Sequence, residues 1–225
     1  MANGKFSNGK RSNLKPVALL LAIALLVGTA VGGTLAWLTD KTDTVKNTFT
    51  VGNIDIDLTE TKEPYKMIPG HTLHKDPKVT VVDGSEDCWL FVKINESTAP
   101  DLDTYIAYAI AEDWEVVTGE KGSGEVVIGR KVMKGAETKT FSVLGAGTFT
   151  DNMGTTDNTD DFTIEWGIDQ VGVKPSVTKD MMDAIKNGTV QNPTLTFTAY
   201  ATQLYKNNTT EFSALDAWNQ AKSLG

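Results

Sequence analysis

The feature that most constrains this chain is the alternation running from Leu195 to Tyr205. Leu195, Phe197, Ala199 and Ala201 fall on one side, and Thr196, Thr198, Tyr200 and Thr202 on the other. A period of two belongs to a strand with one buried face and is incompatible with a helix. The same pattern recurs at Ile54, Ile56 and Leu58, which alternate with Asp55, Asp57 and Thr59. Cys88 to Ile94 (CWLFVKI) is dense in β-branched and aromatic residues and predicts a central strand. Lys78–Val82, Glu125–Met133, Thr138–Leu144 and Phe162–Ile168 read as further strands, with Pro69-Gly70, Asp83-Gly84-Ser85 and Glu120–Gly124 as turns. Leu102–Trp114 is expected to form a short helix leading into a strand at 114–117, and residues 145–161 a long polar loop. Helical spacing is confined to Val177–Lys186, closed by Asn187-Gly188, and to Ser213–Lys222, where Ser213 is the expected N-cap. Short strands without repeating βαβ units predict a mainly β chain: an antiparallel β-sandwich, jelly-roll-like, with a few short helices.

The N-terminus obeys a different rule. Residues 1–16 are polar and basic, and Val17–Val31 is an apolar run of 15 residues. Small residues follow, with Thr34 and Ala36 at the −3 and −1 positions for cleavage between Ala36 and Trp37. Basic, apolar and small in that order is the pattern of a secretory signal. The competing reading is a retained anchor, since the 23 residues from Pro16 to Leu38 are long enough to span hydrocarbon. The expected organisation is a signal peptide at 1–36, a mobile N-terminal segment at 37–52 and a β-sandwich domain at 53–225. A secreted or cell-surface location follows, with membrane contact only through an uncleaved leader.

Charge and motif content narrow the chemistry. Residues 37–225 hold 17 basic against 29 acidic side chains, a net −12, which disfavours nucleic acid as a partner. Cys88 is the single cysteine, so no internal disulfide exists, and its place in a central strand predicts a buried, inert thiol. His71 and His74 are the only histidines. Pro69-Gly70 before them and Pro77 after them argue for a surface loop, and the H-E-x-x-H pattern of zinc proteases is missing. Asp151, Asp157 and Asp160, with Asn152 and Asn158, crowd one loop whose oxygen donors suit calcium but do not match the twelve-residue calcium loop. A solvated acidic loop is the plainer reading. With no catalytic or cofactor motif in evidence, the chain is expected not to be an enzyme.

Two groups of residues carry a resemblance. Gly32-Gly33-Thr34-Leu35-Ala36-Trp37-Leu38-Thr39-Asp40, followed by Asn47-Thr48-Phe49-Thr50-Val51-Gly52, resembles the SipW-dependent signal region of the TasA/camelysin (CotN-like) family. Ile54–Leu58, Pro69-Gly70 with Lys75, Asp87–Lys93, and the ending Leu195–Ala201 with Ala214–Trp218 are similar to that family's exported body. The resemblance implies a jelly-roll-like sandwich exported from a Gram-positive bacterium through a SipW-type signal peptidase. It also implies a cell-surface or biofilm-matrix protein that forms fibres in which an N-terminal segment of one subunit completes the sheet of the next. Here the donor segment would be Trp37–Val51, with Val45, Phe49 and Val51 as its candidate anchors. A secreted metallopeptidase of camelysin type and a monomeric surface-binding module are the alternatives.

Overall fold

In a computed structural model the described residues are 39–42 (backbone only), 54–61, 66–156, 159–207 and 209–223. The strands are Thr39–Thr42 (β1), Ile56–Thr59 (β2), Thr72–His74 (β3), Lys78–Val81 (β4), Cys88–Glu96 (β5), Ile106–Ala107 (β6), Ala109–Ile110 (β7) and Glu115–Gly119 (β8). They continue as Glu125–Val132 (β9), Thr140–Ser142 (β10), Leu144–Gly145 (β11), Gly147–Asp151 (β12), Phe162–Trp166 (β13), Gln170–Val173 (β14) and Leu195–Gln203 (β15). Helix α1 spans Lys179–Lys186 and helix α2 Ala214–Ser223. Every strand pairing is antiparallel.

The principal sheet has the order β1-β15-β5-β9-β8. Facing it are the sheets β10-β4-β2 and β3-β14-β6, with the small pairs β11-β7 and β12-β13. Alternation decides which side chains fill the space between the layers. Leu90, Val92 and Ile94 of β5, Val126 and Ile128 of β9, and Phe197, Ala199 and Ala201 of β15 point inward. They meet Ile56, Val79, Val81, Val171 and Val173 from the opposing layer. The chain is an antiparallel β-sandwich, as its strand pattern predicts.

The other face of the principal sheet is also covered. Trp89, Phe91, Val127, Tyr200 and Leu204 form a second cluster with Ala217, Trp218 and Ala221 of α2. The helix starts where the Asp216 amide donates to Ser213 Oγ at 3.2 Å, the expected cap. Trp218 meets Tyr200 edge-on with ring centroids 5.0 Å apart, and the Trp89 indole N–H donates to the Phe212 carbonyl at 3.0 Å. Gly129, opposite Phe91 on β9, makes room for that ring: a Cβ there would stand 2.8 Å from it. Burial on both faces explains why CWLFV is continuously apolar.

The smaller elements follow their local signals in part. Thr178 caps α1 by accepting from the Met181 amide at 3.3 Å, and Gly188 beyond the helix end takes φ +78°, a conformation that favours glycine. Met181, Met182 and Ile185 lay the helix on the core. Residues 102–110 form a single 3₁₀ turn at Leu102–Thr104 and then two short strands, where a short helix was expected, and the strand expected at 114–117 forms as β8. The 145–161 stretch is not simply a loop, because Gly147–Asp151 pairs along its whole length with Phe162–Trp166. The Trp166 ring lies 2.6 Å from where a Cβ of residue 147 would stand, so only glycine admits this close approach.

Candidate functional site

Part of the segment after Ala36, the donor segment that the resemblance implies, lies on a sheet margin. β1 pairs with the outer side of β15: Thr39 stands opposite Thr202, Asp40 opposite Ala201, Lys41 opposite Tyr200 and Thr42 opposite Ala199. The inner side of β15 is paired with β5 throughout, from Leu195 opposite Glu96 to Gln203 opposite Cys88. Leu195–Thr198 therefore has no strand on its outer side among the described residues. Val45, Phe49 and Val51, the donor candidates, and Ala36 and Trp37, the expected cleavage pair, lie outside the described residues, as does all of 1–36.

An apolar cleft of about 290 Å³ opens beside that half of β15, walled by Met67, Leu73, Leu102, Ile106, Val171 and Leu195. Lys75 sits at its side, donating to Glu60 Oε1 at 2.6 Å with its ammonium 5.2 Å from the Phe197 ring centroid. Unpaired strand backbone supplies hydrogen-bonding groups for an added strand, and an adjoining apolar recess can receive alternate side chains from it.

The far margin of the same sheet is built differently. β8 is short, carries a register irregularity between Val116 and Thr118, and is almost entirely exposed. A bulged, solvated edge flanked by Glu115 and Glu120 is a poor template for further pairing. The two margins are thus chemically unequal.

The metal candidates do not converge. His74 ends β3 opposite Gln170, and His71 precedes the strand, so these residues border a strand where a loop was expected. Positions three apart on extended chain face opposite ways, and both rings are exposed. His71 Nδ1 lies 3.1 Å from the Pro69 carbonyl, and His74 Nδ1 lies 4.0 Å from Asp76 Oδ1.

Asp151 is buried and occupied: Oδ1 accepts from the Met153 amide and Oδ2 from the Ser176 amide, each at 3.0 Å. Burial acts to raise its pKa, but hydrogen bonds from Ser176 and Met153 and the charge of Lys174 outweigh that and hold it below the usual 3.8. Asp160 Oδ1 instead accepts from Thr155 Oγ1 at 2.8 Å, and Asp157 lies outside the described residues. Among the described residues no group of three or more His, Cys, Asp or Glu side chains is placed to hold a metal ion. Cys88 is fully buried, and its thiol is pushed up to about 12 by burial and then by the charge of Asp87.

Sequence reasoning missed the half of β15 that has no outer strand among the described residues, and the cleft next to it. The signal was present only in part: Leu195–Thr198 was legible as strand, but which neighbour it lacks depends on pairing across the whole chain. Among the described residues no helix is long and apolar enough to cross a membrane. No family model matches the chain, and comparison with characterised proteins and with solved structures finds no match to either.

Proposed function

We propose that this chain is an exported, non-catalytic structural protein of a Gram-positive cell surface or biofilm matrix. In this reading its mature body links to further copies by β-strand exchange. The observation that carries it is the position of β1: the short strand that follows Ala36 is an edge strand whose one strand partner among the described residues is β15. Its pairing is made of main-chain contacts to four residues. The same contacts can be made to the β15 of another copy without new chemistry, as in domain swapping. A SipW-type signal peptidase would free the segment by cutting after Ala36, and repetition of the exchange would build a fibre. The Leu195–Thr198 margin, which has no outer strand among the described residues, and its cleft would receive the residues that follow Thr42.

The test is direct. Mature protein beginning at Trp37 is compared with protein lacking residues 37–51 by electron microscopy and analytical ultracentrifugation. Assemblies are expected only when the segment is present. Two single variants, Thr39→Cys and Thr202→Cys, are then mixed under oxidising conditions. A disulfide between separate molecules is expected because these positions are register partners. Persistent monomers in every condition, with no intermolecular bridge, would refute the proposal.

A further inference from the structure

The core-facing positions of β9 alternate as Val126, Ile128, Arg130 and Val132. The three apolar residues belong to the sandwich core, and Arg130 stands opposite the buried Leu90. A cation at an inward register position needs partners, and this one is poorly supplied. Its side chain is only 19% exposed. The guanidinium stacks 3.7 Å from the Phe141 ring centroid and lies 5.6 Å from that of Trp114. Stacking engages the flat faces of the group and leaves its in-plane N–H donors pointing sideways. The ion-pair partner is Asp113, whose Oδ2 lies 3.5 Å from Nη1, too far for a strong hydrogen bond, on a side chain that is 79% exposed. Nε is buried and has no hydrogen-bond partner among the described residues. An arginine held against aromatic rings, with Nε unpartnered among the described residues and Nη1 only loosely paired, is suited to receive a carboxylate.

The cavity beside it has room for more than an ion. It measures about 550 Å³, within the range of small-ligand sites. Ile110 and Ile168 give it apolar walls, Thr138 and Ser142 hydroxyls, and Glu112 and Asp113 exposed carboxylates at the mouth. We propose that this cavity binds a uronic-acid unit of an acidic polysaccharide. Arg130 takes the sugar carboxylate, displacing its loose contact with Asp113. The hydroxyl and carboxylate groups of the rim meet the sugar hydroxyls, and the isoleucines meet its C–H faces. The exposed acids at the mouth disfavour a bare anion, whereas a hydroxyl-bearing one brings donors to them. An acidic peptide offers only the one or two backbone N–H donors next to its side chain, whereas a uronate ring carries hydroxyls all round its carboxylate. The site is independent of strand exchange and of the margin at β15.

The full chain is titrated with D-glucuronate, D-glucose and N-acetyl-L-glutamate at low ionic strength, following backbone amide resonances. Glucuronate is expected to move the signals of Gly145, Ala146 and Arg130, and to bind at least about tenfold more tightly than either control. Arg130→Met should abolish binding. Ala146→Phe, which adds bulk to the cavity lining and leaves Arg130 in place, should weaken binding at least about tenfold in a protein whose remaining spectrum is unchanged. Asp113→Asn, which removes the competing partner, should tighten it. Equal binding of glucuronate and N-acetylglutamate would overturn the assignment in favour of a peptide carboxylate. Absence of any glucuronate-induced shift, or retention of binding in Arg130→Met, would overturn the site itself.

Discussion

Replacing Trp218 by alanine tests whether α2 is an integral roof of the principal sheet. Trp218 is 4% exposed, edge-on to Tyr200 at 5.0 Å and tilted against Phe91 at 5.7 Å. Truncating a buried tryptophan removes its transfer free energy and leaves a cavity, a loss of about 3–5 kcal/mol. Domains have net stabilities of about 5–15 kcal/mol, so this substitution takes about a fifth or more of a typical total. For a body of this size the melting temperature should fall by roughly 6–20 °C. Leu215→Ala is the internal control: it lies on the same helix but is 51% exposed, and should cost no more than about 0.5 kcal/mol. Both variants are unfolded in urea and by heat, followed by circular dichroism. If Trp218→Ala costs no more than Leu215→Ala, the helix is not a structural cover and the reasoning from its aromatic contacts fails.

Two further outcomes follow from buried ionisable groups. The pKa of Asp151 is lower in the folded state than in the unfolded one, so its stabilisation is present above the unfolded value, near 4, and is lost as pH falls through the folded pKa. Asp151→Asn should therefore be less stable than the parent at pH 7 by about 1–3 kcal/mol, with the gap shrinking as acid is added; a gap that widens in acid would contradict the assignment. The Cys88 thiol, with its pKa pushed up to about 12, should resist alkylation in native protein at pH 8 and react fully in guanidinium, so rapid native labelling would show that the strand end is open.

The sandwich was legible wherever one strand face met the core and the other met solvent or a turn signal closed the element. β2, β4 and β15 follow the expected ranges to within two residues, and both helices form where spacing and caps place them. Tyr200 and Thr202 show the limit of that logic. Alternation puts them on the face away from the core, yet both are buried, because α2 brings a second cover that no local period announces. β12 was hidden for a related reason. Its Gly-Thr-Phe-Thr sequence becomes strand only because Phe162–Trp166 returns beside it and Trp166 closes over Gly147. Asp151 looked like one oxygen donor in an acidic loop, but two backbone amides claim it, one of them 25 residues further along the chain. Arg130 was readable in principle as a lone charge on the inward register of β9. What it touches required the fold.

The arrangement of β5 has a consequence for when the molecule can take shape. One of its neighbours, β9, is made soon after it, but the other is β15, and the helix that roofs it ends the described chain. Every nascent chain stopping short of Leu195 leaves the CWLFV run with a bare flank and a bare face. Contacts of such long sequence separation form slowly and late. The core around β5 can therefore close only after β15 and the helix behind it have been synthesised.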